Sequence, residues 1–274
     1  MTTLVTPLSS ERIRLLLNIT DLAQTIHILD ETTSTNTEAF AFAHAGASHG
    51  TIVLAETQTA GRGRLTREWF SPPLQNIYGS ILLKNVPPPQ RISWIPLITG
   101  LAIMHAVEKE SGVALFLKWP NDLLVGNRKI GGILCESTVQ GKETWTIVVG
   151  FGLNVHTPIK EFPLELQPIA TSLFAETGHH EDRNQLLAAI LSNFSMYYRK
   201  LQRSDLSTVK DLYVSRCSTL GHHVQIRLAN GKMLEGIASD IGADGALQLL
   251  PANTHTMNCH ELIDIQSGEV ISVR

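Results

Sequence analysis

Two stretches of the chain combine cations with glycines in a way that could do chemistry on an anion. The first runs Lys118-Trp-Pro-Asn-Asp122, then Leu123 to Val125, Gly126-Asn127, and a second apolar run, Ile130 to Leu134, preceded by Lys129 and containing Gly131 and Gly132. Glycine and asparagine tolerate the positive φ of a tight turn, so the two runs predict a hairpin. Two glycines in a strand leave it bare, as happens where a ligand or another backbone comes close. A lysine at the base of that strand suits an anionic ligand, although a solvated hairpin lysine explains this stretch alone equally well. The second stretch, Glu56 to Pro73, holds Gln58, Gly61-Arg62-Gly63-Arg64, Arg67 and Trp69. Its glycines let the backbone fold around a small anion, and guanidinium groups recognise carboxylate or phosphate in a planar, bidentate manner. A solvated basic loop would account for the charges, but not for Gln58, Trp69 or the interleaved glycines.

Two shorter stretches add polar and bare positions. In Ser34-Thr35-Asn36, Thr35 followed by Glu38 fits a capping box, which is a complete structural explanation. Hydroxyls and N–H groups at a helix start can also receive the carbonyl of a neutral polar ligand. In Gly150-Phe-Gly-Leu-Asn154 the two glycines alternate, so they share one face of an extended chain. That face has room for a flat ligand or a packed ring, and the Asn154 amide has the groups to read an adenine edge.

Taken together, these motifs resemble the biotin protein ligase family: Ser34-Thr35-Asn36, Gln58 with Gly61-Arg62-Gly63-Arg64 and Trp69, Lys118 to Asp122, Lys129 to Leu134, and Gly150 to Asn154, in the family's order. The resemblance is strong from about Thr32 to Val155 and covers the rest by general layout. It implies an α+β fold, a mixed β-sheet with flanking helices over residues 1–215, with a small SH3-like β-barrel over 216–274. It implies an ATP-dependent ligase that makes biotinyl-5'-adenylate and passes biotin to a lysine. The acceptor would be the biotin carboxyl-carrier protein of acetyl-CoA carboxylase or of a related carboxylase. Carried over residue by residue, biotin would be held by Ser34, Thr35, Asn36 and Gln58, by Gly61, Arg62, Gly63 and Arg64, and by Lys129, Gly131 and Gly132. ATP and the adenylate would meet Arg64, Trp69, Asn121, Lys129 and Asn154. Lys129 and Arg64 would be catalytic, and Asp122 would face Mg2+. Biotin and ATP are substrates in this reading, and no tightly bound prosthetic group is implied. The family commonly has glycine where this chain has Thr66, which bears on how the loop closes.

The residues support that chemistry independently. A carboxylate does not acylate an amine at neutral pH, whereas an acyl-adenylate carries a good leaving group. Forming it requires cations that gather two mutually repelling anions, and Lys129 and Arg64 suit that task. The ureido carbonyl and N–H groups need partners once buried. No Ser-His-Asp or Cys-His constellation at recognisable spacing suggests another chemistry, and the incoming lysine is nucleophile enough. A lipoate or octanoate ligase would need a long apolar slot instead. A biotin-sensing repressor would need a winged DNA-binding domain, for which the first 25 or so residues offer one short helix. An interaction module built on the C-terminal strands would leave the motifs unexplained.

Composition excludes other classes. The chain has 274 residues, 43% hydrophobic and 17% charged, with a formal net charge of −3. That is an ordinary globular balance, and the acidity argues against a dedicated nucleic-acid binder. Cys135, Cys217 and Cys259 form neither a disulfide framework nor a zinc spacing, which fits a reducing cytoplasm. No signal peptide or membrane-length apolar run is visible, so neither DNA nor membrane is expected as a partner, while a homodimer stays open. His179-His180 and His222-His223 sit beside glycines and read as loop residues.

The elements that must position these residues follow from pattern. Ser9 or Ser10 can cap a short helix with Ile13, Leu16 and Leu17 as its apolar side. Strands are expected at Ile26 to Leu29, Thr51 to Glu56, Asn76 to Leu83, Val113 to Leu117 and Thr144 to Val149. The Asn76 to Leu83 strand alternates, with Ile77, Gly79, Ile81 and Leu83 on one face. Residues Asn85 to Gln90 form a proline-rich connection. Ser93 can cap a core helix ending at Gly112, and Asn184 to Leu201 is amphipathic. Trp119 reads as packing. Beyond Val214 to Leu220, strands at Val224 to Leu228, Met233 to Ile237, Ala246 to Leu250 and Leu262 to Ile265, joined by Asn230-Gly231 and Asp244-Gly245 turns, suggest the small barrel.

Overall fold

The computed structural model describes residues 6–19, 21–84, 86, 91–140, 144–252 and 262–273. Cys259 and residues 85 and 87–90 of the proline-rich connection lie outside that set.

A seven-stranded mixed sheet carries the larger part of the chain, in the order β1-β2-β3-β7-β6-β5-β4. Its strands are β1 (Ile26–Leu29), β2 (Ile52–Ala55), β3 (Ile77–Lys84), β4 (Phe116–Lys118), β5 (Asp122–Val125), β6 (Arg128–Gln140) and β7 (Thr144–Leu153). β1 and β2 pair in parallel across helix α2 (Thr35–His44), and the remaining neighbours are antiparallel. The expected hairpin is β5–β6, closed at Val125↔Arg128 with Gly126 at φ 56°.

The sheet is covered on both faces, which explains why β3 is buried along nearly its whole length rather than on alternate residues. Ile77, Ile81 and Leu83 join a large apolar cluster under α3 (Trp94–Ser111) and α5 (Arg183–Gln202). Leu82 joins a small cluster of Ala39, Ala43, Val53 and Val148 under α2. The short β4 differs from its expected buried form. It is the edge strand, and Phe116 is 42% exposed there, with only the Cys217–Ser218 backbone alongside Leu117.

Most helix ends follow the expected residues. Ser9 caps α1 (Ser10–Leu16) by accepting from the Arg12 N–H, though only Ile13 of its apolar side is buried and Leu16 is exposed. Gly112 ends α3 in the left-handed region at φ 71°, where a side chain would be strained. Ser93, expected to cap α3, instead donates to Gln266 Oε1 at 2.8 Å.

Helix α6 (Ser207–Arg216) leads into a five-stranded antiparallel sheet of SH3-like kind, ordered β11-β10-β9-β8-β12. These are β8 (His223–Arg227), β9 (Met233–Ile241), β10 (Leu247–Pro251), β11 (Ile263–Ile265) and β12 (Glu269–Val273); β12 was not foreseen, and His223 lies in a strand rather than a loop. The Trp94 indole donates to Ala243 O at 2.9 Å, and Val224, Ile226 and Leu247 belong to the same apolar cluster as the large sheet.

Candidate functional site

Strand periodicity and register create a bare bay in the sheet. On the α2 face, Ser80 pairs with Gly150, which pairs with Leu134; one row on, Tyr78, Gly152 and Gly132 align. Alternate residues share a face, so the rows beyond the α2-covered Leu82 and Val148 present Ser80 and three glycines beside Leu134 and Tyr78. Each glycine seats a specific group. A Cβ on Gly150 would stand 2.2 Å from Asn36 Oδ1, one on Gly152 2.5 Å from Trp69 Nε1, and one on Gly132 3.2 Å from the Lys129 Cε. The alternative of flat ligand or packed ring at Gly152 thus resolves to a ring supplied by the chain itself. Gly131 faces the opposite side, toward Leu123, and lines neither cavity described below. Gly61 likewise lines neither; it allows tight packing, because a Cβ there would meet Trp69 O at 2.6 Å.

The loop from Gly61 to Ser71 folds back on itself. Gly63 N–H donates to Arg67 O at 2.7 Å and Trp69 N–H to Gly61 O at 2.9 Å. At its tip Leu65 and Thr66 take φ 54° and 62°, a region costly for a β-branched residue. The family's usual glycine would fit there without strain, so the Thr66 departure falls where backbone conformation matters. Each of the loop's arginines has a protein partner, so the loop is not simply a solvated basic one. Arg62 donates to both Glu136 oxygens at 3.0 and 2.8 Å, Arg64 to Asn121 Oδ1 at 3.1 Å, and Arg67 pairs with Glu269 of β12. Burial draws the Arg64 guanidinium down from its ordinary pKa, with Asp122 and Glu269 opposing that shift. Arginine remains a cation under such shifts.

Lys129 is held at its backbone by Ile169 O, which accepts from its N–H at 2.7 Å, and by Thr171 N–H, which donates to its carbonyl at 2.9 Å. Its ammonium sits 2.5 Å from Asp122 Oδ1 and 5.5 Å above the Trp69 ring. Asn121 is fixed by donating to Ile133 O at 2.9 Å, which aims its carbonyl oxygen at Arg64. The Asn154 amide donates to Thr171 O at 2.9 Å, so part of its hydrogen-bonding capacity is spent inside the protein.

Two cavities meet across these residues. The smaller, about 50 Å³, is lined by Ser34, Thr35, Asn36, Gln58 and Arg62 together with the glycine rows. Thr35 does not act as the capping-box residue. Ser34 is the N-cap of α2, Glu38 accepts from Thr32 at 2.8 Å, and Thr35 N–H donates to Gln58 Oε1 at 2.9 Å. The larger cavity, about 230 Å³, is bounded by Asp122, Asn154, Trp119, apolar groups such as Phe162 and Ile169, and Glu269 with Val270 from the small sheet. Gly63, Arg64, Trp69, Asn121 and Lys129 line both. The two expected catalytic cations therefore stand on the wall between a small chamber that carries several hydrogen-bonding side chains and a larger, mostly apolar one. Trp119 agrees with its packing role at 2% exposure while its surface closes one side.

Sequence reasoning missed Glu136, Ser80, Phe162 and Glu269. Glu136 and Ser80 could have been reached by carrying the alternation of Gly132 and Gly150 across the register. Glu269 had no local signal. Among the described residues no group of three or more His, Cys, Asp or Glu side chains could hold a metal ion.

Residues 28–154 match the model of the Biotin/lipoate A/B protein ligase family. The chain is 33% identical over 242 residues to a bifunctional ligase/repressor of Bacillus spizizenii, covering 88% of this chain and 74% of that protein. It is 34% identical over 229 residues to the biotin–[acetyl-CoA-carboxylase] ligase of Mycobacterium tuberculosis, covering 82% of each. In structure it is similar to the biotin protein ligase of Aquifex aeolicus in complex with biotin and ATP, with a TM-score of 0.75, 29% identity, and coverage of 92% of this chain and 99% of that one.

Proposed function

The chain belongs to the biotin protein ligase family, enzymes that form C–N bonds, and from that premise we propose that it joins biotin to ATP as biotinyl-5'-adenylate and then transfers biotin to a carrier lysine. The observation that carries this reading is the shared wall, with Arg64 and Lys129 between a small chamber lined by Ser34, Thr35, Asn36 and Gln58 and a larger one. Biotin's ureido ring belongs in the small chamber, with Ser34, Thr35, Asn36, Gln58, Arg62 and Gly63 around it. ATP belongs in the larger chamber, where Trp69, Asn121 and Asn154 surround it.

Biotin's carboxylate and the α-phosphate then meet at Lys129 and Arg64, which offset their repulsion. The carboxylate attacks the α-phosphorus and pyrophosphate departs; the carrier lysine later attacks the acyl carbon and AMP departs. Magnesium supplies charge neutralisation on the departing pyrophosphate. Asp122, freed when Lys129 turns to the ligand, would face the ion, and since no described group of three or more His, Cys, Asp or Glu side chains could hold it, the ion arrives held by the nucleotide. The acceptor is the biotin carboxyl-carrier domain of acetyl-CoA carboxylase or a related carboxylase. No described helix is long and apolar enough to cross a membrane, and with a net charge of −3 we propose no DNA partner.

Incubation with biotin, ATP, magnesium and a carrier domain, read by mass spectrometry, tests the reaction. A biotin mass added to the carrier lysine is expected. Lipoyl- rather than biotinyl-adenylate would overturn the substrate assignment, since the hydrogen-bonding side chains of the small chamber are what favour a ureido ring over lipoate.

Two further results are expected. Gly152→Ala places a methyl against the Trp69 indole and should weaken biotin and ATP binding by roughly tenfold, with overpacking of about 1–3 kcal/mol at the ring's seat. Calorimetric titration giving wild-type affinity would mean that Trp69 has no fixed seat there. Second, amides of Gly61 to Ser71 should exchange slowly only with a non-hydrolysable biotinyl-adenylate analogue bound. Ordering fully free residues would cost ~1–2 kcal/mol each, and the Arg62–Glu136 and Arg67–Glu269 pairs limit that cost. Equal protection with and without ligand, by hydrogen exchange and mass spectrometry, would remove the lid role.

A further inference from the structure

Behind the small cavity runs a chain of hydrogen bonds with a fixed direction. The Asn36 amide nitrogen faces two acceptors, Glu136 Oε2 at 2.7 Å and Leu134 O at 3.1 Å. An amide nitrogen only donates, so this orients the group and leaves Oδ1 toward Ser80, 2.6 Å from its Oγ. Ser80 Oγ also lies 2.8 Å from Thr35 Oγ1. A hydroxyl has one hydrogen, and Asn36 Oδ1 can only accept, so the Ser80 hydrogen goes to Asn36. The contact of 2.8 Å is then a bond only if Thr35 donates to Ser80. The competing acceptor for Thr35, Gln58 Oε1, is farther at 3.3 Å and already receives the Thr35 N–H at 2.9 Å.

The consequence reaches the cavity that Thr35 lines. Resting on the reading of that cavity as the ureido site, we infer that Glu136 and Ser80 are positioning residues which hold the Thr35 hydroxyl as an acceptor, so that the chamber selects a ligand N–H at that point. Glu136, paired with Arg62, sets the direction by accepting from the Asn36 amide. Asn36 transmits it through an amide that cannot rotate without losing two acceptors. Ser80, at 0% exposure, has no water to satisfy it otherwise. Neither residue need touch biotin. Gly150 belongs to the same device, because any side chain there would displace Asn36.

The test compares biotin with an analogue in which one ureido N–H is replaced by ring oxygen, using each of the two positions in turn. Full-length wild type should bind biotin at least about tenfold more tightly than one of these cyclic carbamates, the effect of an unmatched buried acceptor. In Ser80→Ala the Thr35 hydrogen is released to rotate toward the ring oxygen, and the ratio of the two dissociation constants should fall toward about two. Glu136→Leu, at a partly exposed position and so less disruptive to folding, frees the Asn36 amide to turn and should narrow the same ratio. General damage to the pocket would weaken both ligands alike and leave the ratio standing. Calorimetric titration with wild-type discrimination retained in both variants overturns the inference alone. A wild type that ignores biotin removes the functional reading and this inference with it.

Discussion

Replacing Lys129 by alanine is expected to lower adenylate formation by about 10²-fold or more while leaving the fold intact. The lysine lines both cavities. Deleting it removes an interaction that strengthens as charge develops on the phosphate, so the loss falls on the chemical step more than on ground-state binding. Stability should hardly change. The side chain is 37% exposed, and what pins the strand here is backbone, through Ile169 and Thr171, which alanine preserves. Asp122 loses its partner but is exposed enough for water to serve it. Pyrophosphate release measured beside a thermal melt separates the effects. A normal rate with an unchanged melt would return Lys129 to an ordinary hairpin lysine whose one partner is Asp122.

The hairpin that carries Lys129 was legible in the sequence because its determinants are local. Gly126-Asn127 specifies the turn, and flanking apolar runs specify the strands. The glycine-arginine loop was legible for the same reason, and Gly150 with Gly152 announced a bare face through simple alternation. What could not be read were relations set by register across distant strands. That Ser80, Gly150 and Leu134 share a row depends on β3, β7 and β6 being neighbours, and Glu136 follows from that row only once it is known. The partners of the arginines lie in β6, in the turn before β5, and in β12, the last of them 202 residues away in sequence. The loop's own residues therefore allowed a solvated basic loop, where tertiary structure supplies a counter-charge or a carbonyl to each arginine. Thr35 is the instructive local failure. A capping box was the economical reading of Thr35 and Glu38, but Ser80 and Gln58 competed for the hydroxyl and N–H and won, leaving Glu38 to Thr32.

The largest expected effect on stability comes from a residue in which the sequence suggested no chemistry. Arg183, the first residue of α5, has a fully buried side chain and donates to Glu56 Oε2 at 2.6 Å, Asn76 O at 3.0 Å and Thr6 O at 3.0 Å. Glu56, 6% exposed at its side chain, also accepts from Leu8 N–H at 2.7 Å. One ion pair thus ties the N-terminal segment and α5 to the end of β2, two residues before Gln58. Removing one member of such a pair strands the other charge without solvent, and Arg183→Met is expected to destabilise the protein by about 3–5 kcal/mol. The double variant Glu56→Leu with Arg183→Met should recover much of that loss, because well-packed apolar groups of similar size do not carry the desolvation penalty. The Leu8 N–H would still lack its acceptor, so recovery should fall short of wild type by about 1–3 kcal/mol. Urea midpoints for the wild type, both single variants and the double variant complete the cycle. A single-variant loss under about 1 kcal/mol would mean that water reaches Glu56 once the arginine is gone. The strand end that launches the glycine-arginine loop would then be held by the Leu8 N–H on Glu56 and by its backbone bonds to Leu29 and Leu74.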